Sequence, residues 1–274
     1  PPGVTVSHVI GGPVFDVAVG EAFAYLNVGG RLTALDASDP YAPTMTGTAL
    51  DVRSTRGLVV RGSVAYAAVS RMVPPSFGGG LLVVDLSDPL APCCARVEPV
   101  SGNAGAVDVA LDGDRAWVLA TQMPVAVGAA GDGVAQSTYG AVDLFDLADP
   151  LHPRRIGSSQ SGYLGSDAVA AKGHLYVARP DASGGVDIYG MVDGTQPTRI
   201  GEVALGEGAR AVAVSGDRLF VAADSAVHVL DLTDPAAPAE LLRVPLTSGT
   251  AIAAEGNRIL VGTTLVVGLT ALAP

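Results

Sequence analysis

The sequence has few aromatic residues and few basic ones. Aromatic residues make up 5% of its 274 residues, and 27 acidic side chains outnumber 16 basic ones, which gives a net charge of −11. Proteins that bind nucleic acid need a basic surface to neutralise phosphates, so a nucleic-acid partner is not expected. The sequence also lacks any run of about 18 apolar residues, the length that a helix needs to span a bilayer. No transmembrane segment is therefore predicted.

Cysteine is almost absent as well. The two cysteines are adjacent, at Cys93 and Cys94, so a framework of several disulfides is excluded. Neighbouring side chains in a strand point to opposite faces, and a disulfide between them would depart from relaxed geometry. Two free, packed thiols are the favoured interpretation, and a strained, redox-active ring is the alternative.

The sequence is rich in small apolar residues and in turn formers. Apolar residues total 49%, and there are 35 glycines and 19 prolines. This composition favours many short strands that are buried on both faces and separated by tight turns. The chain has no initiating methionine and no signal peptide, so we expect Pro1 to be the start of a processed or excised domain.

One phrase recurs along the chain: an apolar strand runs into Asp-x-x-Asp-Pro-x-x-Pro. Four complete copies begin at Asp36, Asp85, Asp146 and Asp231, and a degenerate copy ends at Pro197. A repeat of roughly 40 residues is typical of a propeller or a solenoid. In the turn, the acidic side chain can accept backbone N–H bonds two residues on, and proline ends the strand. We therefore interpret these aspartates as turn residues, and a string of calcium loops is the weaker alternative.

Each repeat is predicted to form four strands, A to D, with a large apolar residue at one equivalent position in strand B. That position is occupied by Tyr25, Tyr66, Trp117, Tyr176, Phe220 and Leu260. Six such positions predict six blades, spanning approximately residues 15–50, 56–100, 106–160, 166–205, 209–246 and 249–274. The last repeat stops after strand C, whereas residues 3–10 resemble a strand D. Joining the two would close the ring and remove its open sheet edges.

The predicted fold is therefore a single all-β domain over residues 1–274. It is expected to be a six-bladed β-propeller of four-stranded antiparallel blades, closed by the N-terminal strand, which completes the last blade. No segment shows the period of a helix.

A family resemblance supports this prediction. The phrase Leu-Leu-Val-Val-Asp-Leu-Ser-Asp-Pro-Leu-Ala-Pro at residues 81–92, with Ala-Tyr-Ala-Ala at 65–68 in strand B, resembles the LVIVD repeat family of bacterial and archaeal β-propellers. The resemblance covers essentially the whole chain, although blade 4 departs from the motif at Gly190 and Gly194 and the last blade loses it. It implies a propeller fold and an extracellular, cell-surface or periplasmic location. It implies no particular activity.

In a meander of this kind the B–C and D–A loops share one face of the ring, and the A–B and C–D turns share the other. The B–C loops of blades 2, 3 and 4 are enlarged, at residues 70–80, 121–139 and 179–185. Long structureless loops within a compact fold are usually functional or disordered. Three enlarged loops on neighbouring blades therefore indicate a binding face.

The same face carries the polar candidates. Asp16, Asp108 and Asp167 occupy one equivalent position near the mouth of the central channel and are the candidate catalytic residues. The ligand-binding candidates are five arginines and two tyrosines: Arg53, Arg56, Arg71, Arg179, Arg210, Tyr139 and Tyr163. Five arginines on one face of an acidic protein favour an anionic ligand. Three interpretations stay open: mutual pairing that rigidifies the ring, which is favoured; a divalent cation on the aspartates; or a ligand-binding or catalytic pocket.

The four histidines indicate no class of enzyme. His8, His152, His174 and His228 fall in separate elements and form neither a Ser-His-Asp arrangement nor a metal-spaced pair. The predicted function is therefore non-enzymatic recognition of a ligand or protein, or scaffolding, through the enlarged loops. The expected partner is a protein or a small anionic ligand, no cofactor is expected, and the chain is expected to be a monomer or a domain of a larger protein. The alternative is an enzyme whose acid and arginine groups at the channel mouth act on a small anionic or polar substrate.

Overall fold

The structure, a computed structural model, describes most of the chain as β-structure. The described residues are 14–20, 23–39, 43–46, 50–51, 55–73, 76–102, 104–122, 140–161, 165–246, 248–256, 258–263 and 270–272. Within these ranges the strands form six antiparallel sheets in chain order, each made from one sequence repeat. None of the described segments is a helix long and apolar enough to cross a membrane.

The first five sheets have at least four strands each and are named blades 1 to 5. Blade 1 consists of β1 (Val14–Val19), β2 (Phe23–Val28), β3 (Arg31–Asp36) and β4 (Thr44–Met45), and β5 (Leu50–Asp51) also pairs with β3. Blade 2 consists of β6 (Thr55–Arg61), β7 (Val64–Val73), β8 (Ser76–Asp85) and β9 (Cys93–Pro99). Blade 3 consists of β10 (Ala104–Asp112), β11 (Arg115–Gln122), β12 (Gly140–Asp146) and β13 (Arg154–Ser161). Blade 4 consists of β14 (Asp167–Ala171), β15 (His174–Arg179), β16 (Gly185–Met191) and β17 (Pro197–Ala204). Blade 5 consists of β18 (Ala209–Ser215), β19 (Arg218–Ala223), β20 (Ala226–Asp231) and β21 (Ala239–Pro245).

The last sheet differs from these blades. It consists of three strands: β22 (Gly249–Glu255), β23 (Arg258–Thr263) and β24 (Thr270–Leu272). The all-β propeller of four-stranded antiparallel blades is confirmed, but the described residues show five complete blades, not the six that the sequence predicted. The last repeat lacks the Asp-Pro phrase that starts strand D elsewhere. The predicted completion of this sheet by residues 3–10 lies outside the described residues.

The hydrophobic core lies between the blades. In blade 2, Tyr66 packs with Val118 and Phe145 of blade 3, whereas the neighbouring Ala65 packs with Tyr25 of blade 1. Successive residues of a strand therefore face the preceding blade and the following blade in turn. Because both faces of each inner strand are covered, the strands read as continuous apolar runs in the sequence.

The Asp-Pro turns have the predicted chemistry. In blade 2, Asp85 Oδ1 accepts a hydrogen bond from Ser87 N at 2.8 Å, and Asp88 Oδ1 accepts one from Leu90 N at 3.0 Å. The first contact recurs at Asp36, Asp146, Asp193 and Asp231. The Ser87 hydroxyl and N–H, which donate to Asp85, hold the pKa of that carboxyl below its usual value. These side chains therefore close the turn by replacing backbone acceptors.

The two cysteines contradict the favoured sequence interpretation. Cys93 and Cys94 are joined by a disulfide at the start of β9, so the expectation of two free, packed thiols is wrong. Both residues are exposed on the outermost strand of blade 2. Cys94 has a φ of 58°, in the left-handed region. That conformation interrupts the alternation of a regular strand, which explains how adjacent sulfurs reach one another.

Candidate functional site

The three aspartates predicted at the channel mouth do lie at one equivalent position of the innermost strands. In blade 1, Asp16 Oδ1 accepts from the adjacent Val17 N at 2.8 Å, and its Oδ2 accepts from Leu58 N of blade 2 at 2.5 Å. Although these bonds favour the charged form, burial raises the pKa of Asp16. The side chain therefore links the inner strand of one blade to the inner strand of the next.

Asp108 makes the same link between blades 3 and 4 and is more deeply buried, at 8% exposure. Its Oδ1 accepts from Val109 N at 2.8 Å, and its Oδ2 accepts from Ala168 N at 2.7 Å. On its other side lies Gly57 of blade 2, which has a φ of 60°. A Cβ at Gly57 would lie 2.1 Å from Asp108 Oδ1, so only glycine leaves room for this carboxyl.

Asp167 continues the series between blades 4 and 5, where its Oδ2 accepts from Val212 N at 2.8 Å. Its carboxyl is close enough to that of Asp108 for the two groups to affect each other's pKa. Burial raises the pKa of both groups, and the negative charge of Asp167 raises that of Asp108 further. Two neighbouring carboxyls in a buried site cannot both ionise readily, which adds to the effect of burial on the pKa of Asp108.

We call these three side chains the axial latches, because each carries a hydrogen bond from one inner strand to the next. The position is filled by Gly57 in blade 2 and by Ala211 in blade 5, which have no acceptor in their side chains. The latches therefore join blades 1 and 2, 3 and 4, and 4 and 5. Their oxygens are occupied by backbone donors, which is the arrangement of a structural tie.

Two of the predicted ligand-binding arginines have ion-pair partners within the fold. Arg210 Nε donates to Asp224 Oδ1 at 2.8 Å, and both side chains are 44% exposed at the B–C face. The side chain of Arg179 is only 6% exposed and lies 3.4 Å from both Asp187 and Glu202. Arg179 therefore belongs to a partly buried ion network of blade 4.

The remaining candidates cannot be placed as fully. Arg53, Tyr139 and Tyr163 lie outside the described residues, as does the segment 123–139 of the predicted blade 3 loop. Arg56 and Arg71 lie in β6 and β7, where the structure describes the backbone but not their side chains.

The other two enlarged loops are more regular than the sequence predicted. The segment 70–80 of blade 2 is mostly strand, because β7 and β8 stay paired out to Val73 and Ser76. The expectation of a structureless loop is therefore wrong there, and blade 2 instead projects a long β-hairpin. The segment 179–185 contains a tight turn, in which Gly184 N donates to Asp181 O at 2.8 Å.

Sequence reasoning missed a second set of buried polar residues, in strand C. Asp143, Asp187 and His228 occupy one equivalent position in blades 3, 4 and 5, and all are at most 2% exposed. In blade 5, His228 Nδ1 lies 2.8 Å from Glu240 and its Nε2 lies 2.9 Å from Glu207. The signal was present in the sequence as a single polar residue at the same place in an apolar strand.

Glu207 lies in the loop between blades 4 and 5, and its carboxylate contacts His228 of this set. Burial raises its pKa, but hydrogen bonds from Ser225, His228 and Arg243 outweigh burial and lower the pKa to about 2. The group is therefore a charged structural anchor rather than a proton donor at neutral pH. Over the described ranges, no three His, Cys, Asp or Glu side chains are arranged to hold a metal ion.

The fold and its latched inner strands define a β-propeller built from sequence repeats. The profile of the LVIVD repeat matches residues 11–51, 52–95 and 206–245. The chain therefore carries three LVIVD repeats within a β-propeller fold, and the resemblance inferred from its motifs is confirmed. No curated protein matches it significantly.

Solved structures share this fold at low sequence identity. A functionally unknown protein from Desulfotomaculum acetoxidans superimposes with a TM-score of 0.68 at 10% identity, covering 94% of this chain and 81% of the other. Hydrazine synthase from Kuenenia stuttgartiensis gives 0.65 at 15% identity, with coverage of 94% and 82%. A chain of the nidogen/laminin complex gives 0.51 at 14% identity, with coverage of 85% and 82%. At these identities the likeness establishes the fold alone.

Proposed function

We propose that this chain is a non-enzymatic recognition or scaffolding propeller that binds a protein or a small anionic ligand on its B–C face. The observation that carries the proposal is the occupation of Asp16, Asp108 and Asp167 by backbone donors of adjacent inner strands. A general acid or base must reach the proton that it transfers on the substrate. Carboxyls that tie one blade to the next are poorly placed for that task.

The B–C face is the proposed binding surface because its features vary among the blades. The paired strands β7 and β8 extend beyond the β2–β3 hairpin of blade 1, and the half-exposed pair of Arg210 and Asp224 lies on the same face. Arg53, Arg56, Arg71, Tyr139 and Tyr163 stay candidate ligand contacts under this proposal. We also propose an extracellular, cell-surface or periplasmic location, and completion of the β22–β24 sheet by residues 3–10 as a sixth blade.

An enzyme is the second candidate, and one observation favours it. The carboxyls of Asp108 and Asp167 interact with each other, and burial raises the pKa of both. Buried carboxyl pairs with raised pKa values are common among acid catalysts, although structural pairs behave in the same way. The hydrazine synthase and nidogen/laminin neighbours do not decide between the candidates, because they share only the fold.

The two candidates are separated by variants of opposite faces. We would cut the blade 2 hairpin to a two-residue turn after the pair Val69 and Gly80, and separately make Arg210→Glu. The control is Val192→Ser, which changes a 75% exposed residue at the C–D turn of blade 4, on the other face. Proteins and anionic small molecules retained by the immobilised chain would be identified by mass spectrometry, together with any substrate that the chain consumes.

We expect the two B–C variants to lose retained molecules that the Val192→Ser control keeps. Full retention by both B–C variants would contradict the proposed face. Consumption of a substrate that is abolished by Asp167→Asn, in a variant that still folds, would favour the enzyme instead.

A further inference from the structure

A cavity of about 360 Å³ opens between blades 1 and 2 on the face opposite the B–C loops. Its walls are mainly apolar and come from Phe23, Tyr25, Leu86 and Pro89, and Gly20 and Ser63 stand at its rim. Cavities of about 300 Å³ or more, lined by aromatic side chains and a few polar groups, are typical of small-molecule sites. The dimensions and lining therefore fit a small ligand.

Tyr25, which lines the cavity, carries a hydroxyl without a hydrogen-bond partner among the described residues. Tyr25 is only 4% exposed, and its hydroxyl makes no hydrogen bond to any described residue. Burial raises the pKa of this tyrosine, so its hydroxyl stays a neutral donor at physiological pH. A tyrosine hydroxyl at the wall of an apolar cavity, with no protein acceptor, is available to donate to a ligand.

The equivalent tyrosines of other blades show what that acceptor should be. Tyr66 of blade 2 donates to the Pro150 carbonyl of blade 3 at 2.8 Å, and Tyr176 of blade 4 donates to the Pro235 carbonyl of blade 5 at 2.8 Å. Tyr25 lacks this bond although Pro89, the equivalent proline, lines the cavity. In both blades the strand-B tyrosine donates to the backbone carbonyl of a proline, which is an amide carbonyl next to a five-membered ring. We therefore expect an acceptor of the same kind at Tyr25.

The side chains at the A–B turns beside this cavity differ from those at two other blade interfaces. Between blades 2 and 3, Arg61 reaches across to the Gly113 carbonyl at 2.5 Å and to the Asp114 carboxylate. Between blades 4 and 5, Lys172 reaches across to the Asp217 carboxylate and to the Leu232 carbonyl at 2.9 Å.

Between blades 1 and 2, the positions of Arg61 and Asp114 are occupied by Gly20 and Ser63. Glycine has no side chain, so Gly20 cannot bridge the cavity as Arg61 bridges the next interface. The interface between blades 1 and 2 therefore has no side chain at the position of Arg61 that could cross to the next blade.

We propose that this cavity binds a small, uncharged, ring-containing molecule whose amide or ketone carbonyl accepts a hydrogen bond from the Tyr25 hydroxyl. The ring packs between Phe23, Leu86 and Pro89, and the carbonyl takes the place that a proline carbonyl occupies in the other interfaces. None of the described lining residues is charged, so a carboxylate or ammonium group would find no partner of opposite charge among them. The site is separate from the proposed B–C face and does not depend on it.

The test uses benzamide as the probe and benzoate as its charged counterpart, with binding to the full chain measured by ligand-observed NMR. We expect benzamide to bind at concentrations up to about 10 mM, and benzoate to bind at least tenfold more weakly. Tyr25→Phe keeps the ring and removes the donor, so it should weaken benzamide at least threefold while leaving the weak benzoate binding unchanged. Equal benzamide affinity in Tyr25→Phe, or no benzamide binding by the parent chain, overturns the proposal.

Two double variants add the bridging side chains to the interface between blades 1 and 2 or remove them from the interface between blades 2 and 3. Gly20→Arg with Ser63→Asp copies Arg61 and Asp114 onto the open interface. A Cβ at Gly20 would lie 3.4 Å from its nearest neighbour, Phe23 O, so a side chain fits there. This double variant should abolish benzamide binding, whereas Arg61→Gly with Asp114→Ser should leave binding at the Tyr25 cavity unchanged. Undiminished binding in the first double variant overturns the proposal, and if that variant fails to fold the Tyr25→Phe comparison decides.

Discussion

Asp108 shows how one buried side chain can depend on three blades. Its carboxyl accepts the Ala168 N–H of blade 4, has its pKa raised by Asp167 as well as by burial, and occupies the space that a Cβ on Gly57 of blade 2 would need. The glycine and the aspartate are thus one structural unit, although 51 residues separate 57 from 108. Their interdependence gives predictions for single substitutions.

Gly57→Ala should be much more destabilising than Gly62→Ala. Both glycines have a positive φ, of 60° and 55°, but a Cβ at Gly62 would meet nothing within 4 Å. Gly62→Ala therefore measures backbone strain alone and should lower the free energy of unfolding by about 1 kcal/mol. Gly57→Ala adds a clash with Asp108 and should lower the free energy of unfolding by about 3 kcal/mol. Urea denaturation of the two variants checks this. Equal losses would contradict the packing of Asp108 against Gly57.

Asp108→Asn should change how stability depends on pH. The pKa of Asp108 is raised in the folded chain, so its contribution to stability is fully present below the unfolded value of about 3.9 and is lost as pH rises through the folded pKa. Asparagine stays neutral and keeps one oxygen acceptor. The variant should therefore gain stability relative to the parent as the pH is raised from 4 towards neutrality. Parallel unfolding free energies over that range would show that the pKa of Asp108 is not raised in the folded chain.

At the scale of elements, the strand-B tyrosines connect each blade to the next Asp-Pro turn. Tyr66 and Tyr176 are both 0% exposed and donate to proline carbonyls of the following blade. Two aspartates of the turn accept hydrogen bonds from backbone N–H groups of the same turn, and the tyrosine of the preceding blade donates to its proline carbonyl. The recurring phrase is a unit of blade packing as well as a turn.

Tyr66→Phe should destabilise the chain, and Tyr25→Phe should not. The first change removes a hydrogen bond and leaves the Pro150 carbonyl without this donor, which costs about 1 kcal/mol. The second removes a hydroxyl that has no partner among the described residues, and the ring stays in place. Thermal and urea unfolding of both variants provide the comparison. A loss in Tyr25→Phe as large as that in Tyr66→Phe would mean that its hydroxyl is bonded in solution.

The Asp-Pro turns are also expected to bind no metal ion. Their aspartates accept backbone N–H groups, as in Asp231 with Thr233 N at 2.7 Å, so lone pairs that calcium needs are already used. Adding a chelator should leave the melting temperature within about one degree, because only an ion that binds the native state can stabilise it. A rise of many degrees on adding calcium would contradict this, and would direct attention to Asp16, Asp108 and Asp167.

The sequence predicted the elements well where chemistry is local. The Asp-Pro phrase and the strand-B aromatics located blades 1 to 5, because turn formation and strand burial depend on neighbouring residues. The blade 2 hairpin was missed because Gly78-Gly79-Gly80 indicates a loop. In the structure a Cβ at Gly79 would lie 2.0 Å from Val69 O, and one at Gly80 would lie 2.1 Å from Glu98 O, so these glycines allow strands to approach closely.

The candidate site was predicted only in part, for a related reason. The shared position of Asp16, Asp108 and Asp167 could be read from repeat alignment. Their partners could not, because each accepts an N–H from the next blade and that geometry exists only after the ring is assembled. The disulfide of Cys93 and Cys94 was missed because it requires a positive φ at Cys94, which is rare outside glycine.

At the scale of the whole molecule, the first and last sheets differ from those between them. The described faces of β1 and β23 leave large apolar side chains exposed: Val17 at 52%, Val19 at 74% and Leu260 at 48%. Tyr66, Trp117 and Tyr176 occupy the position of Leu260 in blades 2 to 4 and are at most 1% exposed. Among the described residues of strands A and B, these are the exposed large apolar side chains, and they lie where the ring would have to close.

Deleting residues 1–10 should strongly destabilise the chain. The sheet of β22, β23 and β24 has three described strands, and residues 3–10 carry the apolar pattern of the strand D that the other blades possess. Pairing would satisfy the outer edge of β24 and hold the last sheet against blade 1, whereas an open apolar edge promotes association between chains. The truncated chain should melt at least about 5 °C lower, or aggregate on heating. Deleting Pro1 and Pro2 alone removes no apolar strand residue and should leave the melting temperature unchanged. If the chain lacking residues 1–10 melts like the parent and stays monomeric, closure by the N-terminal strand is wrong.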